Sequence, residues 1–150
     1  MYRRILVPSD GSSVSDRAVD AAIEFAQACG AEIVALAVAV PEPVLQSLEG
    51  GVVLDPGQQV DVLLEHAGAC AKAIAARAQL AGVRCMPLTR FSLDPAEAIV
   101  DAAREHACDL IVMGSHGRRG LSRLLMGSVT QSVLAYAPVP VMVLRPAPPA

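Results

Sequence analysis

Short apolar runs alternate along the chain with longer stretches whose polar positions recur at helical spacing. Ile5-Leu6-Val7, closed by Pro8 and Gly11, predicts a buried first strand. Ser12 or Ser13 can cap the helix that follows. From Asp16 to Cys29, Asp16, Asp20, Glu24 and Gln27 line one face and Val19, Ala22, Ile23 and Ala26 the other, with Gly30 as the stop. Glu32 to Val40 predicts a second strand, ended by Pro41-Glu42-Pro43. Gly50-Gly51 and Asp55-Pro56-Gly57 place residues 44–57 in a long loop, with the mobile stretch at about 41–57. Gln58 to Ala81 predicts an Ala-rich helix ending at Gly82, and Val83 to Thr89 a third strand. Asp94-Pro95-Ala96-Glu97 is a helix start: Asp caps, Pro suits the first helical position, and Glu97, read as a capping residue, follows three residues later. That helix runs to about His106. Asp109 to Met113 predicts a fourth strand, Gly127 to Tyr136 a short helix and Pro140 to Leu144 a last strand, with residues 146–150 as a tail.

Alternation of strand and helix with short connections predicts a single α/β domain over 1–150, a parallel sheet with helices on both faces. Ligands of such sheets sit beyond the carboxyl ends of the strands, where the strand order reverses. The first and fourth predicted strands end in the two loops richest in Gly and Ser. If those strands are neighbours, both loops face one crevice.

Composition narrows the partners. The chain is 53% hydrophobic but only 3% aromatic, so Ala and Val carry the core, as closely packed helices on a sheet require. A net charge of −3, with no extended Lys/Arg run, argues against nucleic acid as a partner. Cys29, Cys70, Cys85 and Cys108 lie far apart without a C-x-x-C pair, which argues against a zinc site or redox dithiol and reads as small buried hydrophobes in a reducing compartment. The apolar run before Pro8 is too short for a signal peptide, and the longest apolar stretch, Ile33 to Pro41, is too short to span a bilayer. The expectation is a cytoplasmic protein with no membrane partner.

The informative segment is Asp109 to Ser128. An apolar strand runs into Gly114, Gly117 and Gly120, and a second glycine turn, Gly127-Ser128, opens the next helix. Glycine lets backbone approach a ligand, and a helix N-terminus offers N–H groups and a positive dipole end. Ser128 adds a hydroxyl, and Arg118, Arg119 and Arg123 add charge. The sum is a cradle for polyphosphate; the competing reading is a set of tight turns.

Gly114-x2-Gly117-x9-Gly127-Ser128 resembles the G-x2-G-x9-G-[S/T] signature of the ATP-binding branch of the universal stress protein (UspA) family. The likeness extends to Ile5-Leu6-Val7-Pro8-Ser9-Asp10-Gly11-Ser12 at the start, and to Ser128-Val129-Thr130 and Pro138 to Val143 near the end. It implies a five-stranded parallel sheet of order 3-2-1-4-5, Rossmann-like and related to the adenine nucleotide alpha hydrolases, with ATP in the crevice, accompanied by Mg²⁺. Pro8, Ser9 and Asp10 would lie beside the nucleotide, Asp10 on the ribose or phosphate side. Val38 and the backbone around Met113 would touch adenine. Gly114, His116, Gly117, Arg118, Gly127, Ser128 and Val129 would surround ribose and phosphates. Many relatives have His-Val where this chain has Ala37-Val38, which keeps the Val and lacks the His.

Bland readings stand beside these. Asp10 can be a turn residue or helix cap; a carboxylate beside phosphate needs a ribose hydroxyl or a metal-bound water as its contact. His116 can be a general base or a loop residue near the ligand, and the sequence sets up no partner carboxylate or nucleophile for it. His66 and His106 fall on polar helix positions and are expected to be exposed. G-x4-G-K-[S/T], G-x-G-x-x-G, H-E-x-x-H and G-x-S-x-G are absent. The reading is an ATP-binding regulator of the stress response, with at most slow hydrolysis. A homodimer through Val139 to Leu144 is expected with it. The alternatives are a nucleotide-independent module that acts through that dimer alone, and an enzyme acting on ATP through His116.

Overall fold

The computed structural model describes residues 1–41, 55–116 and 125–148. Nine elements alternate along them: β1 (Arg4–Pro8), α1 (Ser13–Cys29), β2 (Glu32–Ala39), α2 (Pro56–Leu80), β3 (Cys85–Phe91), α3 (Pro95–Glu105), β4 (Leu110–Gly114), α4 (Ser128–Tyr136) and β5 (Val141–Leu144). The five strands form one sheet of order β3-β2-β1-β4-β5, and every pairing is parallel. This is the predicted topology.

Burial on both faces explains the unbroken apolar runs of the inner strands. Side chains alternate across a strand. Ile5, Val7, Ile33, Ala35, Leu110 and Val112 pack with Ala18, Val19, Ala22 and Ala26 of α1 and Ile74 and Ala78 of α2. Leu6, Val34, Leu36, Ile111 and Met113 pack on the other face with Ile99, Ala102 and Ala103 of α3 and Val133 of α4. Where α2 crosses the end of β2, Ala37 and Ala39 meet Ala67 and Ala71. Small side chains on both partners let that helix lie close to the sheet.

Helix ends follow local chemistry. Ser12 caps α1 by accepting the Ser15 N–H, and Gly30 closes it at φ 70°, a left-handed conformation that favours glycine. Asp94 caps α3 by accepting the Glu97 N–H, so Glu97 takes part through its backbone.

Four expectations need correction. Asp55-Pro56-Gly57 is a helix start, not loop: Asp55 and Gln58 form a reciprocal capping box and Pro56 opens α2. Residues 42–54 of the expected loop lie outside the described residues. The third strand begins at Cys85 rather than Val83 and runs on to Phe91. His66 is exposed, but His106 is half-buried as the cap residue of α3. Of the cysteines only Cys108 is fully buried; Cys29, Cys70 and Cys85 pack half-buried against the core.

Candidate functional site

The chain leaves β1 toward β2 and β3, then returns to β4 on β1's other side and continues to β5. The order therefore reverses between β1 and β4, and the crevice of a doubly wound sheet opens at their carboxyl ends. Three segments meet there: the turn after β1, the exit of β4, and the start of α4.

In the first segment Pro8 and Ser9 are buried. Ser9 donates its N–H to the Leu36 carbonyl at 2.9 Å, and its hydroxyl accepts the Gly11 N–H at 3.1 Å. Gly11 has φ 78°, so the turn requires glycine. Asp10 is exposed at this mouth. Its Oδ1 accepts the Ser12 N–H at 2.9 Å and the Ser15 hydroxyl at 2.8 Å. The turn role of Asp10 is thus realised, and the same bonds hold its carboxylate at the crevice. Val38, near the end of β2, is half-buried on the α3/α4 face of the sheet.

The exit of β4 is built by close packing. Met113 and Gly114 are buried. A Cβ on Gly114 would lie 2.9 Å from Val14 Cγ1 and 3.2 Å from the Val14 carbonyl carbon. Glycine here lets the first turn of α1 approach the strand end. Ser115 donates its N–H to the Leu144 carbonyl of β5 at 2.8 Å, and its own carbonyl accepts the Gly127 N–H at 2.8 Å. His116 is buried, with Nδ1 2.9 Å from Ser115 Oγ and Nε2 bonded to the Leu125 carbonyl.

The start of α4 differs from the other helix starts. Side chains cap α1, α2 and α3, whereas among the described residues no side chain caps α4, whose cap position is Gly127. Gly127 has φ −61°, which any residue adopts. Its glycine is explained by space, since a Cβ would lie 3.2 Å from the Ser115 carbonyl oxygen. Ser128 is exposed and Val129 half-buried, while the buried Thr130 hydroxyl donates to the Gly114 carbonyl at 3.0 Å. The first turn of α4 is thereby pinned to the end of β4 with its N–H groups and the Ser128 hydroxyl at the crevice.

Of the residues singled out from sequence, the structure gathers Pro8, Ser9, Asp10, Met113, Gly114, His116, Gly127, Ser128 and Val129 at this end of the sheet. Gly117 and Arg118 lie outside the described residues, as do Arg119 and Arg123. Val14, Ser115 and Thr130 carry the geometry and were missing from that set. Thr130 follows Ser128 in the motif and so had a signal; Val14 had none, because its role is a tertiary approach.

At the opposite, amino end of the sheet, Arg4, Glu32, Arg84, Cys85 and His106 line a shallow cleft. Its charges are engaged with one another: Arg4 bonds Glu32 and the His106 carbonyl, and Arg84 lies 3.6 Å from Glu32. Burial pushes the thiols of Cys85 and Cys108 up to about 11, so neither is an activated nucleophile. Among the described residues no group of three or more His, Cys, Asp or Glu side chains could hold a metal ion, and no helix is long and apolar enough to cross a membrane.

Comparison with known proteins adds the lineage. The model of the universal stress protein family matches residues 1–145. A universal stress protein of Methanocaldococcus jannaschii is 34% identical over 146 residues, covering 97% of this chain and 83% of the relative. The solved structure of the universal stress protein UspA from Lactobacillus plantarum superposes with a TM-score of 0.79 at 29% identity, over 96% of this chain and 98% of that one. A universal stress protein solved in complex with cAMP superposes with a TM-score of 0.66 at 25% identity, over 97% of this chain and 99% of that one.

Proposed function

Because the chain belongs to the universal stress protein family, we propose that it is an ATP-binding regulator of the stress response that holds the nucleotide at the carboxyl ends of β1 and β4. The observation that carries this reading is the start of α4, a helix N-terminus that among the described residues has no side-chain cap, pinned by Thr130 against a glycine exit. Such an end supplies N–H donors and a positive dipole to phosphate. The relative solved with cAMP supports an adenine nucleotide as the ligand.

In this reading Gly127, Ser128 and Val129 present N–H groups and a hydroxyl to the phosphates. Gly114 and Met113 offer backbone, Val38 an apolar surface to the base. Pro8 and Ser9 wall the crevice, and Asp10 meets a ribose hydroxyl or a water on Mg²⁺. One carboxylate plus phosphate oxygens is an ordinary Mg²⁺ setting, so the ion would arrive with the nucleotide. Gly117 and Arg118 enter only through the sequence motif.

Among the described residues no side chain is poised as a general base for fast turnover. Both ring nitrogens of His116 are bonded within the protein, and the Asp10 carboxylate braces its own turn. Hydrolysis should fall far below the ~10 s⁻¹ typical of enzymes. Occupancy would act instead by favouring one conformational state, read by a partner. Four free cysteines suit the reducing cytoplasm.

A second reading, a dimer through Val139 to Leu144 that needs no nucleotide, draws support from β5. Among the described residues that strand pairs with β4 on one side only, and Met142 and Tyr136 are exposed nearby. A thermal melt of nucleotide-stripped protein separates the two. At a hundredfold excess over Kd, Mg-ATP should stabilise by about 2.7 kcal/mol, roughly 5–10 °C, and GTP much less. A melting temperature that ignores nucleotide but rises with protein concentration would instead support the dimeric module.

A further inference from the structure

We propose that His116 is a positioning residue for nucleotide binding, a clasp that holds Leu125 and the approach to α4 against the end of β4. The inference rests on the nucleotide-binding reading above. His116 is 8% exposed and bonds two partners. Its Nε2 meets the carbonyl of Leu125, nine positions on, and its Nδ1 lies 2.9 Å from Ser115 Oγ. A carbonyl only accepts, so Nε2 carries the proton. In the neutral ring Nδ1 is then the acceptor and the Ser115 hydroxyl the donor. The neighbours therefore select one tautomer.

Ser115 extends the clasp. It is 2% exposed, its N–H holds the end of β5 through Leu144, and its carbonyl holds the Gly127 N–H. The end of β4, the end of β5, Leu125 and the first turn of α4 are thus tied through two adjacent residues. The tie fixes the direction of the α4 N–H groups. Because both imidazole nitrogens are occupied internally, the ring acts on the ligand through α4 and makes no phosphate contact of its own.

The test compares H116A, H116N and H116Q for affinity toward ATP and AMP, with circular dichroism of each apo variant. Gln places an amide N–H close to where Nε2 lies, whereas Asn is too short and retains only an acceptor near Nδ1. H116A and H116N should bind ATP and AMP on the order of fivefold to tenfold more weakly, by the same factor for both, and H116Q should recover most of the loss. In the wild-type apo protein, ¹⁵N NMR of the imidazole should show the Nε2–H tautomer. Equal affinity across the series, H116Q as weak as H116A, or a loss confined to ATP would overturn the clasp, the last by revealing direct contact with the outer phosphates. An Nδ1–H tautomer in a protein that still binds ATP would also overturn the clasp while leaving the nucleotide reading intact. Wild-type protein that bound neither nucleotide would overturn the nucleotide reading itself, and the clasp's role with it.

Discussion

At the scale of single residues, two of the motif glycines turn out to have reasons within the fold. Gly114 admits α1, and Gly127 admits the Ser115 carbonyl. In sequence these glycines are legible as a backbone that something approaches closely, but not as which thing, because Val14 lies a hundred residues away along the chain. Gly114→Ala should therefore cost about 1–3 kcal/mol of folding stability even without nucleotide, since strand and helix must part. Adding Val14→Ala should recover part of the loss by removing the nearest methyl. Urea denaturation of the two variants measures both effects, and an unchanged midpoint for Gly114→Ala would contradict the packing account. A second residue-scale expectation concerns pH. Burial raises the thiols of Cys85 and Cys108 from 9.0 to about 11. The folded state then keeps protons that the unfolded chain gives up, so their contribution is whole below pH ~9 and is lost as the pH climbs toward 11. The denaturation midpoint should fall across that window, and less steeply in C85A/C108A. Parallel profiles for the two proteins would remove burial as the cause.

At the scale of elements, inner and outer strands differ in how clearly they can be read. β1 and β4 are buried on both faces, and their continuous apolar runs mark them within one residue. β3 is an edge strand with exposed Met86 and Phe91, and it contains Pro87, which an edge tolerates because one side of its backbone needs no partner. Its mixed pattern hides both ends. The start of α2 misleads for another reason. Asp55-Pro56 carries the same cap chemistry as Asp94-Pro95, but Gly57 makes it look like a turn. A Cβ there would lie 3.2 Å from Asp55 Oδ1, so glycine leaves room for the capping carboxylate. Asp55→Ala should lower stability by about 1 kcal/mol, seen as a lower melting temperature. No change would mean that the capping box does not anchor the helix.

At the scale of the whole molecule, topology does most to locate function. Alternating elements and right-handed crossovers leave few arrangements open, and the reversal between β1 and β4 brings together two loops a hundred residues apart in sequence. The general place of the candidate site was thus legible from pattern and motif. The parts that build it were less so: the Thr130 pin, the Ser115 tie and the clasp of His116 are hydrogen bonds between segments, and no periodicity encodes them. The central claim is that an adenine nucleotide lies across this end of the sheet with its phosphates at α4. Amide chemical-shift mapping of isotope-labelled, nucleotide-stripped protein during titration with Mg-ATP tests it most directly. The account predicts that the largest shifts cluster at Ser9, Asp10, Val38, Gly114 to His116 and Gly127 to Val129. Shifts clustered instead around Arg4, Glu32, Arg84 and His106, or no shifts at millimolar ATP, would contradict it.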